Sequence, residues 1–155
     1  MSVITIKLDN LAATKRLGIF LGNLLHAGDV IALSGTLGAG KSELARAIIE
    51  HHNPDETDIP SPTFTLVQSY ETQDGTPLLH FDMYRLEQPQ DALELGIEDA
   101  FYEGVSLIEW PEKIGPFLPS NALQCDLIIE PSGSRTLVID ASDAWAQRLK
   151  GITDL

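Results

Sequence analysis

Cysteine is almost absent. Cys125 is the only one in 155 residues, so no internal disulfide is available and the reducing cytoplasm is the expected compartment. Its apolar neighbours and the lack of a flanking base mark it as a core residue. Basic residues are also scarce: ten Lys and Arg stand against 23 Asp and Glu, for a net charge of −13. Such a field repels polyphosphates at long range, which argues against a broad basic nucleic-acid surface. No apolar run approaches the roughly 18 residues of a transmembrane helix. Residues 1–7 show neither the basic stretch nor the long apolar stretch of a secretion signal. Repeats, linkers and low-complexity segments are likewise missing. What remains is a globular composition, 43% hydrophobic, at a length suited to a single domain over residues 1–155.

Local patterns outline the elements. Residues 3–8 alternate in the period of a strand. Asn10 can cap a helix whose stripe is Leu11, Leu17, Phe20, Leu21, Leu24 and Leu25, with Gly28 expected as a left-handed C-terminal cap. The wholly apolar run Val30, Ile31, Ala32, Leu33 suits a central parallel strand. A helix is expected from Lys41 to about Ile49, stopped by Asn53 and Pro54, then a loop to Pro62. Residues 63–71 and 77–83 read as a hairpin around Gln73, Asp74 and Gly75. A short helix near 91–102 and a buried strand at 105–108 follow. Residues 123–130 and 136–141 form a second hairpin, and Ser142 can cap a helix through Lys150. This order predicts an α/β, three-layer P-loop NTPase-like domain with a mixed, mostly parallel sheet and hairpins.

The chemistry concentrates after the apolar strand. Gly35, Thr36, Leu37, Gly38, Ala39, Gly40, Lys41 and Ser42 satisfy G-x-x-x-x-G-K-[ST] at every fixed position, against a chance expectation of roughly 0.004 matches in a chain of this composition. Glycines let successive N–H groups turn inward, and the following helix adds the positive end of its dipole, making a nest for phosphates. Lys41 supplies an ammonium to the same oxygens. The Ser42 hydroxyl is placed for Mg²⁺, which takes oxygen ligands and keeps several waters. The partner such a loop requires is a carboxylate at the end of a neighbouring strand. Asp82 and Glu109 both end apolar runs. Residues 61–63 (SPT) follow the phosphate-loop helix where hydrolases carry switch segments, although Ser-Pro-Thr also reads as ordinary loop chemistry. Trp110 and Tyr84 suit either stacking or core packing. Arg85 suits either phosphate or a neighbouring acid. His51 and His52 adjoin at a helix end in poor metal geometry, and His26 and His80 stand alone, so no zinc site is expected.

Four ordered motifs now carry a resemblance: the phosphate loop, SPTFTLV at 61–67, HFDMYRL at 80–86 and LIEWPE at 107–112. Together, over residues 29–113, they resemble the TsaE (YjeE) family of small bacterial ATPases. The resemblance implies an ATP- and Mg²⁺-dependent ATPase needed for threonylcarbamoyladenosine at position 37 of tRNAs that read codons beginning with A. It also implies work through two partner proteins, TsaB and TsaD, the second of which transfers the threonylcarbamoyl group. By motif, Lys41 and Ser42 would serve phosphate and Mg²⁺, Asp82 and Glu109 the metal or its waters, and Thr63 the switch-like loop, with Trp110 near the nucleotide. Two positions depart from the pattern. Thr36 stands where an acid is common, and Glu43 follows Ser42 where a small hydroxyl residue is usual, adding negative charge beside the phosphates. The resemblance draws on no motif from Gln124 onward.

Other classes remain in view. A small-molecule kinase shares the loop but usually adds an Arg-rich lid, whereas Arg46, Arg85, Arg135 and Arg148 are scattered. A GTPase would need Asn-Lys-x-Asp, which is missing. A nucleotide-gated binding module with incidental turnover fits the same motifs.

Overall fold

A computed structural model describes residues 2–56 and 58–155; Met1, and Thr57 in the loop expected between Pro54 and Pro62, lie outside the described residues. The elements run β1 (Ser2–Leu8), α1 (Leu11–Leu24), β2 (Val30–Gly35), α2 (Lys41–His52), β3 (Val67–Glu71), β4 (Pro77–Asp82), α3 (Ile97–Glu103), β5 (Val105–Glu109), β6 (Leu123–Ile129), β7 (Arg135–Ala141) and α4 (Asp143–Arg148). The strands form one seven-stranded sheet in the order β1-β7-β6-β2-β5-β4-β3. β6, β2, β5 and β4 are mutually parallel. β3 pairs antiparallel to β4, and β7 antiparallel to both β6 and β1. The expected mixed sheet with hairpins is present. Parallel pairing runs through β6, β2, β5 and β4, and a hairpin, β6–β7 or β3–β4, closes each flank.

The parallel centre follows from burial on both faces. Val30, Ile31, Ala32 and Leu33 of β2 are all fully buried. Alternation sends Ile31 and Leu33 into one core with Leu17, Leu21, Leu44 and Ile48 of α1 and α2, and Val30 into a second with Phe81, Ile97, Ala100 and Ile108. Helices therefore lie on both sides of the sheet, the second layer being α3 with 3-10 turns at Pro89–Leu95, Pro111–Lys113 and Gly115–Phe117. α1 packs closely on α2, where a Cβ on Gly18 would lie 2.9 Å from the Ala47 carbonyl carbon. Asn10 Oδ1 accepts from the Ala13 N–H at 2.9 Å, and Ser142 Oγ from the Trp145 N–H at 3.2 Å, so both expected caps are in use.

Several boundaries differ from the sequence reading. α1 ends at Leu24 with Leu25 extended, so Gly28 (φ +95°) serves the following turn rather than the helix end. That turn is held by Asp29, whose carboxylate accepts from the His26 N–H. α2 continues to His52 before Asn53 closes it. β3 starts at Val67 instead of residue 63, because residues 63–66 turn back on themselves: the Leu66 N–H donates to the Pro62 carbonyl at 2.6 Å and Leu66 adopts φ +70°. The helix expected near 91–102 is broken by Gly96 at φ +79° into a 3-10 turn and α3. α4 stops at Arg148, and left-handed Gly151 leads into a 3-10 turn at Ile152–Asp154.

Candidate nucleotide-binding site

The parallel register brings the strand ends together. Asp82 on β4 pairs directly with Glu109 on β5, and Glu109 with Leu33 on β2, immediately before the glycine loop. Carboxylates from two strands thus stand beside the N-terminus of α2. Both are nearly buried, Asp82 at 4% and Glu109 at 3% exposure.

The loop closes the way its glycines permit. Gly40, the residue before α2, holds φ +105°, a conformation that a side chain rarely adopts. A Cβ on Gly35 would strike the Leu127 carbonyl oxygen at 2.5 Å. The Ala39 N–H donates to the Thr36 carbonyl at 3.0 Å, and Leu37 protrudes at 79% exposure. From outside, Arg135 on β7 donates through Nε to the Ala39 carbonyl and through Nη2 to that of Gly38, each at 3.2 Å.

Lys41 is buried under the loop. Its Nζ donates to the carbonyls of Gly35 and Thr36 at 2.6 and 2.9 Å and lies 4.2 Å from the centre of the Trp110 ring. Desolvation lowers its pKa below the ordinary 10.5, opposed by the charges of Glu109, Glu112, Asp82 and Asp126. Ser42 Oγ donates to Glu109 Oε1 at 2.8 Å and lies 3.0 Å from Oε2. Thr63 Oγ1 donates to Asp82 Oδ2 at 3.0 Å and sits 2.9 Å from Ser61 Oγ. The other Asp82 oxygen accepts from the Tyr84 N–H at 3.0 Å. Trp110 stands in the left-handed region at φ +58°, its ring 4.9 Å from that of Tyr84.

These groups share a cavity of about 110 Å³ with Leu37, Gly38, Gly40 and Glu43. A second, of about 160 Å³, opens on the other side of Gly40 and Glu43 beside Asn10, Thr14 and Arg135. The largest of the three, about 950 Å³, runs from Gly35, Thr36, Leu37 and Trp110 along β6 and β7, but the Lys41 ammonium, the Ser42 and Thr63 hydroxyls and the paired strand-end carboxylates converge in the smallest. Its donors fit a magnesium–phosphate group: a hydroxyl and two carboxylates are hard oxygen ligands. Among the described residues no set of three or more His, Cys, Asp or Glu could hold a metal, so an ion here would draw further ligands from phosphate and water.

The family model described as threonylcarbamoyl adenosine biosynthesis protein TsaE matches residues 8–137. The chain belongs to the TsaE family. A TsaE of Rickettsia felis, named as a tRNA threonylcarbamoyladenosine biosynthesis protein, is 37% identical over 139 residues, 88% of this chain and 81% of that protein. A TsaE of Nostoc is 43% identical over 129 residues, 79% and 76% of the two chains. The crystal structure of Bacillus subtilis YdiB superposes with a TM-score of 0.80 at 27% identity, covering 99% of this chain and 95% of that one.

Lys41, Ser42, Thr63, Asp82, Glu109 and Trp110 come together. Thr36 contributes its backbone carbonyl to Lys41, and Glu43 sits in the first turn of α2. Cys125 is a core residue whose thiol burial pushes up to about 12. His51 engages Asn23, and His52 bonds the Gly22 carbonyl. The arginines do not converge: Arg148 pairs with Asp29 at 2.6 Å, Arg85 lies over Phe64, and Arg135 on β7 bonds to the phosphate loop. Two contributors went unread. Arg135 reaches the loop from the far end of the chain, for which local sequence holds no signal. His80 does not stand alone; its Nε2 lies 2.6 Å from Glu109 Oε2. Strand alternation offered a signal, since residues 80 and 82 of one strand share a face.

Proposed function

We propose that this chain is a Mg²⁺-dependent ATPase that supports formation of N6-threonylcarbamoyladenosine at position 37 of tRNAs reading codons beginning with A, acting through TsaB and TsaD. The observation that carries the reading is the convergence of Lys41, Ser42, Asp82 and Glu109 at one helix N-terminus, in a member of the TsaE family. In this reading Lys41 would exchange the Gly35 and Thr36 carbonyls for phosphate oxygens, and backbone N–H groups of the loop and the first turn of α2 would take the remaining phosphate contacts. Ser42, Asp82 and Glu109 would hold Mg²⁺ directly or through its waters, where the ion would neutralise charge on the β- and γ-phosphates. Glu109 would serve either a metal-bound water or the attacking one. The cavity lined by Gly40, Glu43 and Arg135 would be open to the nucleoside end.

Partner coupling rests on the loop after α2. Thr63 ties that loop to Asp82, while the next residue, Phe64, is 82% exposed. A change at Asp82 therefore moves a surface aromatic, the kind of side chain that anchors protein contacts. Direct tRNA binding is expected to be weak at a net charge of −13. No helix among the described residues is long and apolar enough to cross a membrane, and the cytoplasm is the proposed location. Gel filtration of the chain with TsaB and TsaD, in ATP analogue, ADP or no nucleotide, tests the coupling. Co-elution that depends on nucleotide is expected; identical co-elution in all three would contradict it and favour a free-standing kinase or a simple binding module.

A further inference from the structure

We infer that His80 is a positioning residue for Glu109, holding one carboxylate oxygen so that the other stays aimed at the phosphate site. The inference rests on the ATPase reading above and extends it to a residue outside the phosphate motif.

His80 is fully buried on β4, and its Nε2 lies 2.6 Å from Glu109 Oε2. A carboxylate can only accept, so Nε2 carries the hydrogen and donates. Its other ring nitrogen, Nδ1, is buried with no hydrogen-bond partner among the described residues. A buried imidazole with one unsatisfied nitrogen is a poor choice for packing, because an apolar side chain of similar size avoids the desolvation cost. The ring's one polar contact is therefore the reason for a histidine here.

The geometry also explains why one donor is not enough. Among the described residues Glu109 bonds two side chains: Ser42, nearer Oε1 at 2.8 Å and 3.0 Å from Oε2, and His80 on Oε2. Ser42 is the hydroxyl that a Mg²⁺–phosphate group would claim, and with it lost, Glu109 would be free to rotate. His80 lies on the strand next to Glu109, one pleat behind Asp82, where its register partner is Leu107. It approaches from the core side and has no competing polar partner. Outer-shell donors of this kind fix carboxylate orientation, and their removal typically costs about 10- to 100-fold in metal affinity or activity.

The test uses the full chain with His80→Leu and His80→Gln. Leucine keeps the buried volume and removes the donor, whereas glutamine offers an N–H at nearly the same reach. Expected is a folded His80→Leu variant whose affinity for an ATP analogue without metal is unchanged. Its kcat falls about 10- to 100-fold, and Mn²⁺ in the presence of the analogue, followed by electron paramagnetic resonance, binds more weakly. His80→Gln recovers a substantial part of both. Wild-type kcat and Mn²⁺ affinity in His80→Leu would overturn the inference and leave the ATPase reading standing. So would a His80→Gln variant no better than His80→Leu. A wild-type chain that turns over no ATP would overturn both.

Discussion

Ser42 and Glu109, 67 positions apart, are joined by a hydrogen bond of 2.8 Å between the hydroxyl and one carboxylate oxygen. The hydroxyl of the phosphate loop is thus already engaged with the strand-end acid that the same chemistry needs. Glu109→Ala and Asp82→Ala are each expected to leave nucleotide affinity nearly intact while lowering the single-turnover rate by about 100- to 1,000-fold, since interactions that strengthen only in the transition state act on rate. An unchanged single-turnover rate in either variant removes that residue from the site.

Lys41→Ala is expected to weaken ATP binding by at least about 100-fold, through loss of a charge-assisted bond in a chain that otherwise repels anions. Titration calorimetry on the folded variant checks this, and near wild-type affinity would defeat the phosphate-loop assignment. The pH dependence has a definite sign. Burial lowers the Lys41 pKa below 10.5, so the buried ammonium weighs on the nucleotide-free fold at neutral pH. That cost is relieved as pH rises through the lowered value toward 10.5. Affinity for the analogue moves the other way, falling over the same alkaline window as Lys41 loses its proton.

Trp110 should report nucleotide. Its ring covers the Lys41 ammonium at 4.2 Å, and phosphate would draw that ammonium away. Trp145, 5% exposed and bonded through Nε1 to the Asn121 carbonyl, is fixed in the core beside Arg148. The fluorescence change on adding nucleotide is expected to survive Trp145→Phe and vanish in Trp110→Phe. A full signal in Trp110→Phe would place the ring outside the site.

Much of this site was legible because its signals are local. The glycine loop is contiguous, and Asp82 and Glu109 announce themselves as acids ending apolar strands. What sequence could not give is what distance along the chain conceals. That Asp82 and Glu109 are register partners depends on β4 lying beside β5, and no local pattern specifies strand order. Arg135 reaches the loop across 96 positions to Ala39. His80 looked isolated because its partner lies 29 residues away. Residues 63–66 have the composition of a strand, but a hydrogen bond from Thr63 to Asp82 and the left-handed Leu66 turn them aside. There tertiary contacts outweigh local β-propensity.

The steady-state rate of ATP hydrolysis by the full chain with Mg²⁺, alone and with TsaB and TsaD added, tests the central claim most directly. The structure holds Lys41, Ser42 and Thr63 on internal partners, which favours slow turnover by the isolated chain and leaves room for a partner to release them. The account predicts a slow rate alone that rises when both proteins are present and is lost in Lys41→Ala. The same rate with and without them, or no hydrolysis under either condition, would contradict it.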